Sequence, residues 1–276
     1  MCRWLAYSGS PVFLEDFLFK AKHSLIDQSM LSRSAETPTN GDGFGVGWYG
    51  SREQPGLFRS IRPAWNDFNL RDLAAQIESP LFLAHIRATS LATVQETNCH
   101  PFRHGRWLFV HNGEILDIEK FRRDLVMAVE PPLFNEILGT TDSELMFYLA
   151  LTFGLEKDPL GAVERMTGFV EETARVHGVK EAMWMTIGFT DGQTVYAVRY
   201  ASDNDAPTLY HSRDMEDLHA LNPELRGHFA THARAVVSEP IGKMASAWIE
   251  IPQATAAVVR RGEVELKAFR PRTPAK

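Results

Sequence analysis

A cysteine follows the initiator methionine, so removal of Met1 would make Cys2 the N-terminal residue. One backbone unit would then carry both a thiol and a free α-amine. An α-amine titrates at roughly 7.7–8.0, so near neutral pH it can take the thiol proton without help from another side chain. This is a self-contained nucleophile and base for acyl transfer. Taken alone, a Cys at position 2 is more simply an accident, and the rest of the chain must add weight.

Four further segments hold groups suited to a polar substrate. Gly41-Asp42-Gly43-Phe44-Gly45-Val46-Gly47-Trp48 places glycine at every second position. In a strand this leaves one face without side chains, so that another backbone or a ligand can come close. The spacing is not that of a dinucleotide-binding turn. Next, His85-Ile86-Arg87 ends an apolar run, with Ser90 three residues beyond the arginine. A guanidinium there could hold a carboxylate through two parallel bonds. Phe109-Val110-His111-Asn112-Gly113-Glu114 ends another run in Asn-Gly. That dipeptide is a common turn signal, yet the Asn112 amide and Gly113 N–H could also form an oxyanion hole, where one donor can be worth about 2.7–4 kcal/mol. Lastly, Thr140-Thr141-Asp142-Ser143-Glu144 opens a helical run. Thr141 with Glu144 reads as a capping box, and Asp142 in the first turn would stay ionised and could face an ammonium group.

Other candidates are weaker. Cys99, in Asn98-Cys99-His100-Pro101, reads as a small packed apolar group. His228 and His232 stand four apart but lack the glutamate of H-E-x-x-H, so a metal role is disfavoured. Neither a G-x-S-x-G elbow nor a P-loop is present.

The elements that must position these groups are legible as periodic runs. Helical patterns cover Val12–Lys22, Leu70–Ile77, Ile118–Met127, Ser143–Phe153 and Leu160–His177. Strand patterns cover Arg3–Ser8, Phe44–Tyr49, Leu57–Ile61, Leu81–Ile86, Trp107–His111, Met183–Thr190, Thr194–Tyr200, Thr255–Arg260 and Glu263–Phe269. Asp191-Gly192 and Arg261-Gly262 read as hairpin turns. Strands arrive in adjacent runs with helices bunched between them, which favours α+β with antiparallel sheets over a doubly wound parallel sheet. Runs apolar on both phases, such as Leu81–Ala84, suit sheets covered on both faces.

Bulk properties set the class. The 276 residues, 44% hydrophobic and 23% charged, fit one large domain. Two cysteines make no disulfide framework, and reduced thiols in the cytoplasm are the simpler expectation. The N-terminus has no signal-peptide pattern, no apolar run approaches a membrane span, and the net charge of −6 argues against nucleic acid. Ser32–Asn40 is the nearest thing to a linker.

The ordered set — Cys2, the glycine-alternating strand, H-x-R, N-x-H-P, H-N-G and T-D-S-E — resembles the class II glutamine amidotransferases, whose glutaminase domain is an N-terminal nucleophile hydrolase. The resemblance covers roughly residues 2–200. It implies a four-layer αββα sandwich of two antiparallel sheets and a single glutaminase-like domain over 2–270, while Pro271–Lys276 reads as a flexible, frayed tail from its terminal position. It implies that Cys2 attacks the γ-amide of glutamine or of another γ-glutamyl compound, with Asn112 and Gly113 holding the oxyanion. Arg87 would then pair with the substrate α-carboxylate and Asp142 with its α-ammonium, with Ser90 and the backbone near His100 as second contacts. Neither a metal nor an organic cofactor is called for. Glutaminase-like domains often pair as homodimers. Relatives with a fused synthase domain often begin Cys-Gly-Ile, whereas this chain begins Cys-Arg-Trp, and Ala88 follows Arg87 in place of an aromatic residue. These departures resemble the stand-alone members, including γ-glutamyl hydrolases of ergothioneine synthesis and glutathione breakdown. A glutaminase subunit serving a separate synthase, or a non-catalytic glutamine-binding module, are the alternatives.

Overall fold

In the computed structural model, which describes residues 2–31, 39–88, 93–214 and 232–274, the β-branched and aromatic runs pair into two antiparallel sheets. In chain order the strands are β1 (Arg3–Phe13), β2 (Phe44–Trp48), β3 (Gly56–Ser60), β4 (Glu78–Ile86), β5 (Phe102–His104), β6 (Trp107–Ile115) and β7 (Met183–Thr190). They continue with β8 (Val195–Ala201), β9 (Tyr210–Ser212), β10 (Arg234–Val237), β11 (Trp248–Glu250), β12 (Thr255–Arg260) and β13 (Glu263–Ala268). The helices are α1 (Leu25–Met30), α2 (Phe68–Gln76), α3 (Arg122–Met127), α4 (Pro131–Phe134), α5 (Asp142–Thr152) and α6 (Pro159–Val176). One sheet has the order β11-β9-β10-β1-β4-β2-β3 and the other β13-β12-β8-β7-β6-β5.

Alternation along each strand sorts the core into three bodies. Trp4, Ala6, Leu81, Leu83, Leu108 and Val110 lie in the cluster between the sheets. Leu5, Tyr7, Phe82, Ala84 and Ile86 lie on the outer face of the first sheet, with α1 and α2 residues. Phe109, Ile115, Met185 and Ile187 lie on the outer face of the second, against α3, α5 and α6. The result is the expected αββα sandwich. Helix α5 is apolar nearly all round because it is covered on several sides: the run Ser143–Ala150 is buried throughout.

Several local readings hold and several do not. Asp191-Gly192 and Arg261-Gly262 are turns, with Gly192 at φ 88° and Gly262 at φ 83°. Val12–Lys22 is not a helix from its start: after a bulge, Val12 and Phe13 pair with Ser79 and Glu78 of β4. Winding starts at Leu14, and Asp16–Lys20 forms a wide turn closed by the Ala21 N–H on the Asp16 carbonyl. Asn112-Gly113 is no hairpin turn, because β6 runs through it to Ile115. The capping box at α5 is half formed. Thr141 Oγ1 accepts from the Glu144 N–H, but the Glu144 carboxylate accepts from Leu138 and Gly139 N–H instead of closing back on Thr141. Near the C-terminus, Arg272 pairs with Glu164 at 3.2 Å and its N–H donates to the Glu164 carbonyl. Of the linker-like segment, residues 32–38 lie outside the described residues, whereas Asn40 is fully buried and its N–H donates to the Ser29 carbonyl.

The glycine-alternating strand is explained by backbone packing. A Cβ on Gly45 would collide with the His100 carbonyl, and one on Gly47 would come within 2.8 Å of Leu108. The bare face of β2 therefore receives the 100–101 segment and β6. Gly45→Ala should destabilise the fold by about 1–3 kcal/mol through overpacking. A urea midpoint equal to that of the wild type would show that this approach is not tight.

Candidate active site

Cys2 immediately precedes β1, and the pairing of Arg3 with Ile86 sets it beside the end of β4. Its Sγ accepts from the Ala88 N–H at 3.4 Å and lies 3.3 Å from the Ala88 carbonyl. The residue as a whole is partly exposed. Burial pushes its pKa up, opposed by the Ala88 bond and by the positive charges of Arg87 and Arg3.

The next two residues project to opposite faces. Arg3 turns outward, where Nε meets Glu239 at 2.8 Å and Nη1 donates to the Cys2 carbonyl at 2.9 Å. Glu239 also receives His23 Nε2 at 2.6 Å. Trp4 turns inward between the sheets. Its indole N–H donates to Thr186 Oγ1 at 3.1 Å, and Thr186 Oγ1 donates to the Asn112 carbonyl at 3.5 Å. The strand that follows Cys2 is thus tied, through Thr186 of β7, to the strand that carries Asn112.

Arg87, 3% exposed, lies at the end of β4. Its N–H donates to the Gly43 carbonyl, and its guanidinium lies 3.4 Å from the Asp42 carbonyl and 3.3 Å from the Thr93 carbonyl. On the opposite sheet Asn112 is buried, with Oδ1 unpartnered. Gly113 has φ 142°, and a Cβ there would strike the Trp184 carbonyl and come within 2.8 Å of His111 Nε2. Only glycine fits this point of β6. Asp142 opens α5 as expected, and its carboxylate accepts from the Ile115 N–H at 2.8 Å and from the Ser143 N–H at 2.7 Å. That bond fastens the helix start to β6.

The structure brings Cys2 and Arg87 together at one sheet's end, and Asn112, Gly113 and Asp142 together on the other. Ser90 and His228 lie outside the described residues. His100 is within the fold, but its ring is buried between His85 and Phe102, with centroids 4.0 and 4.5 Å away. Cys99 packs as expected, fully buried against Gly43, and burial pushes its thiol up to about 11. Sequence reasoning missed Trp4, Thr186 and Glu114. The first two are far apart in the chain and carry no local signal. Glu114, next to Gly113, follows Asn112 by two along β6, and its carboxyl is raised by burial and by the Asp142 charge. Among the described residues no cluster of three or more side chains could hold a metal ion, and no helix is long and apolar enough to cross a membrane.

Three histidines lie beneath the site. His111 Nδ1 meets Ser143 Oγ at 2.8 Å, and His85 Nε2 meets the His111 carbonyl at 3.1 Å. His100 has no partner at either ring nitrogen. Burial lowers all three pKa values, that of His85 to about 3. The folded rings are therefore neutral at neutral pH.

A thiol, two candidate oxyanion donors, a guanidinium and a carboxylate fit acyl transfer from a substrate bearing one anionic and one cationic group. Comparison with known proteins agrees. Residues 19–276 match the family described as class-II glutamine amidotransferases. The chain is 31% identical over 298 aligned residues to the probable glutamine amidotransferase DUG3 of Saccharomyces cerevisiae, covering 96% of this chain and 84% of that one. It is 29% identical over 179 residues to the gamma-glutamyl-hercynylcysteine sulfoxide hydrolase of Mycolicibacterium smegmatis, covering 64% and 73% of the two chains. A solved glutamine aminotransferase class-II domain protein from Silicibacter pomeroyi superposes with a TM-score of 0.73 at 35% identity, covering 98% of this chain and all of that one.

Two predictions follow from the geometry. Trp4→Phe and Thr186→Val remove the two ends of one buried bond, so each should cost about 1–3 kcal/mol of stability. The double variant should fall short of their sum by about 0.5 kcal/mol or more; additive losses would mean that the bond does not form. The histidines make the second. Each stays neutral when folded but binds a proton below about pH 6.5 when unfolded, so stability falls as pH drops below that value, by up to about 1.4 kcal/mol per unit for each ring. His100→Phe, which breaks no hydrogen bond, should flatten the slope of unfolding free energy between pH 5 and 6.5. An unchanged slope would mean that His100 titrates normally in the fold.

Proposed function

The chain belongs to the class-II glutamine amidotransferases, and on that premise we propose that it hydrolyses the γ-amide of glutamine, or of a γ-glutamyl-linked small molecule, through a thioester at Cys2. The observation that carries this reading is the placement of the Cys2 thiol against Ala88, next to Arg87, with Trp4 and Thr186 linking it to Asn112.

With Met1 gone, the Cys2 α-amine takes the thiol proton and the thiolate attacks the γ-carbonyl carbon. The carbonyl oxygen becomes an oxyanion facing the Asn112 amide and Gly113 N–H. Collapse breaks the C–N bond, and the leaving amine takes the proton back from the α-ammonium. Water, losing a proton to the amine, then attacks the thioester and releases glutamate and the free thiol. Arg87 receives the substrate α-carboxylate. Asp142 receives its α-ammonium, with Glu114 adding a second carboxylate nearby. Ser90 and the 100–101 backbone are the secondary contacts. A substrate lacking either head-group charge forgoes that ion pair, which discriminates against other amides. The names of the relatives support a candidate class that includes both glutamine and γ-glutamyl conjugates.

The test combines intact mass with glutamate release, using glutamine and a panel of γ-glutamyl compounds. Met1-free protein should release glutamate, Cys2→Ala should release none, and Arg87→Lys should raise KM by about tenfold or more. Processed protein that binds glutamate yet turns over nothing in the panel would overturn the stand-alone hydrolase. That result would favour a binding module or a subunit awaiting its synthase.

A further inference from the structure

We propose that Asn98 is a positioning residue that fixes the spacing between Arg87 and Asp142, the two halves of the substrate clamp. The inference rests on the functional reading above. Asn98 is fully buried at the end of a short helical turn, Glu96–Asn98, with its side-chain amide bonded on every side. Nδ2 donates to the Thr93 carbonyl at 2.9 Å and to Thr140 Oγ1 at 3.1 Å. Oδ1 accepts from the Thr140 N–H at 2.8 Å and from Gln95 Nε2 at 3.1 Å.

Each of these partners leads to one half of the clamp. The Thr93 carbonyl that receives Asn98 also receives Arg87 Nη2 at 3.3 Å. Thr140 stands two residues before Asp142, joined to it only by the Thr141 cap. Asn98 therefore bridges the loop that supports the cation and the loop that starts the helix bearing the anion. The second loop is pressed against it: a Cβ on Gly139 would lie 2.5 Å from Asn98 Oδ1 and 2.8 Å from Glu144 Oε2. Glu144 holds the same loop from the other side through Leu138 and Gly139.

Asparagine suits this post because one planar group must donate to a carbonyl and a hydroxyl while accepting from an N–H. Aspartate offers acceptors only, and would set a carboxylate oxygen against the Thr93 carbonyl in place of a donor. Serine is too short to span both loops. With the bridge gone, the two charged groups must be ordered by the substrate itself, and that cost falls on binding.

The test uses processed full-length protein with Asn98→Asp and Asn98→Ser, read in three ways. These are steady-state kinetics on the best γ-glutamyl substrate, calorimetric affinity for L-glutamate, and the rate of Cys2 alkylation by iodoacetamide. Positioning predicts KM and the glutamate Kd raised by at least about tenfold, kcat within about threefold, and alkylation unchanged. In an Arg87→Lys background the added effect of Asn98→Ser should shrink, since both act on one clamp. A merely structural role would lower kcat and disturb alkylation while leaving KM in place, which overturns the proposal. Active wild type with unchanged glutamate affinity in both variants also overturns it, and leaves the functional reading intact. Wild type that binds glutamate without turnover, with binding weakened in the variants, would sink the hydrolase reading alone.

Discussion

The hydrogen bond from the Trp4 indole to Thr186 is the constraint on which the site depends. The proposed nucleophile and the proposed oxyanion donors are on different sheets, and the core between those sheets is apolar. Apolar packing holds two sheets about 10 Å apart but is non-directional, so it does not fix how far one slides over the other. A directed bond between buried groups does, because slipping would leave a donor and an acceptor without partners. Gly188 makes room for it: a Cβ there would come within 2.7 Å of the Trp4 ring. Thr186 then continues to the Asn112 carbonyl, opposite which it sits in the β6–β7 register.

Charge is arranged around that brace with the same economy. Arg3 is paired behind Cys2 with Glu239, while the Arg87 guanidinium lies at the end of β4 against the Thr93 carbonyl. Asp142 and Glu114 stand on the second sheet's side. Three histidines lie between these groups, and burial, aided at His85 and His100 by Arg87, keeps them neutral. A protonated ring there would add a second cation near Arg87 and blur the proposed recognition of a zwitterionic head group. Neutral rings fill space, orient Ser143 and leave the field to Arg87 and the two carboxylates.

Much of this was legible where a residue's role is written in its own neighbourhood. The long strands, the α5 start and the Asp-Gly turn follow from periodicity and local chemistry. Strands of three or four residues, such as β5, β9, β10 and β11, are too short to show a period and exist because a neighbouring strand pairs with them. Asn112-Gly113 carries a turn signal that the β7 register overrides. Glu144 fits a capping box, yet its carboxylate is drawn to the loop before it. The glycine strand was legible as a close approach; that the approaching chain is the His100 backbone was not. The ties of Trp4 to Thr186 and of Asn98 to Thr140 span 182 and 42 residues, and no local pattern announces them.

The departure from Cys-Gly-Ile to Cys-Arg-Trp now has a physical meaning. In a strand, the two residues after the nucleophile point to opposite faces, and here each is anchored: Arg3 to Glu239 outside, Trp4 to Thr186 inside. Glycine and isoleucine could make neither bond. The backbone that follows Cys2 is therefore clamped from both sides by partners 236 and 182 residues away. Glu239 follows β10, which joins the sheet beside β1, while Thr186 belongs to the facing sheet. The inner anchor cannot form before the chain reaches Thr186, nor the outer one before it reaches Glu239. The Cys2 thiol, the proposed nucleophile, is thus brought into register by contacts from the last third of the chain.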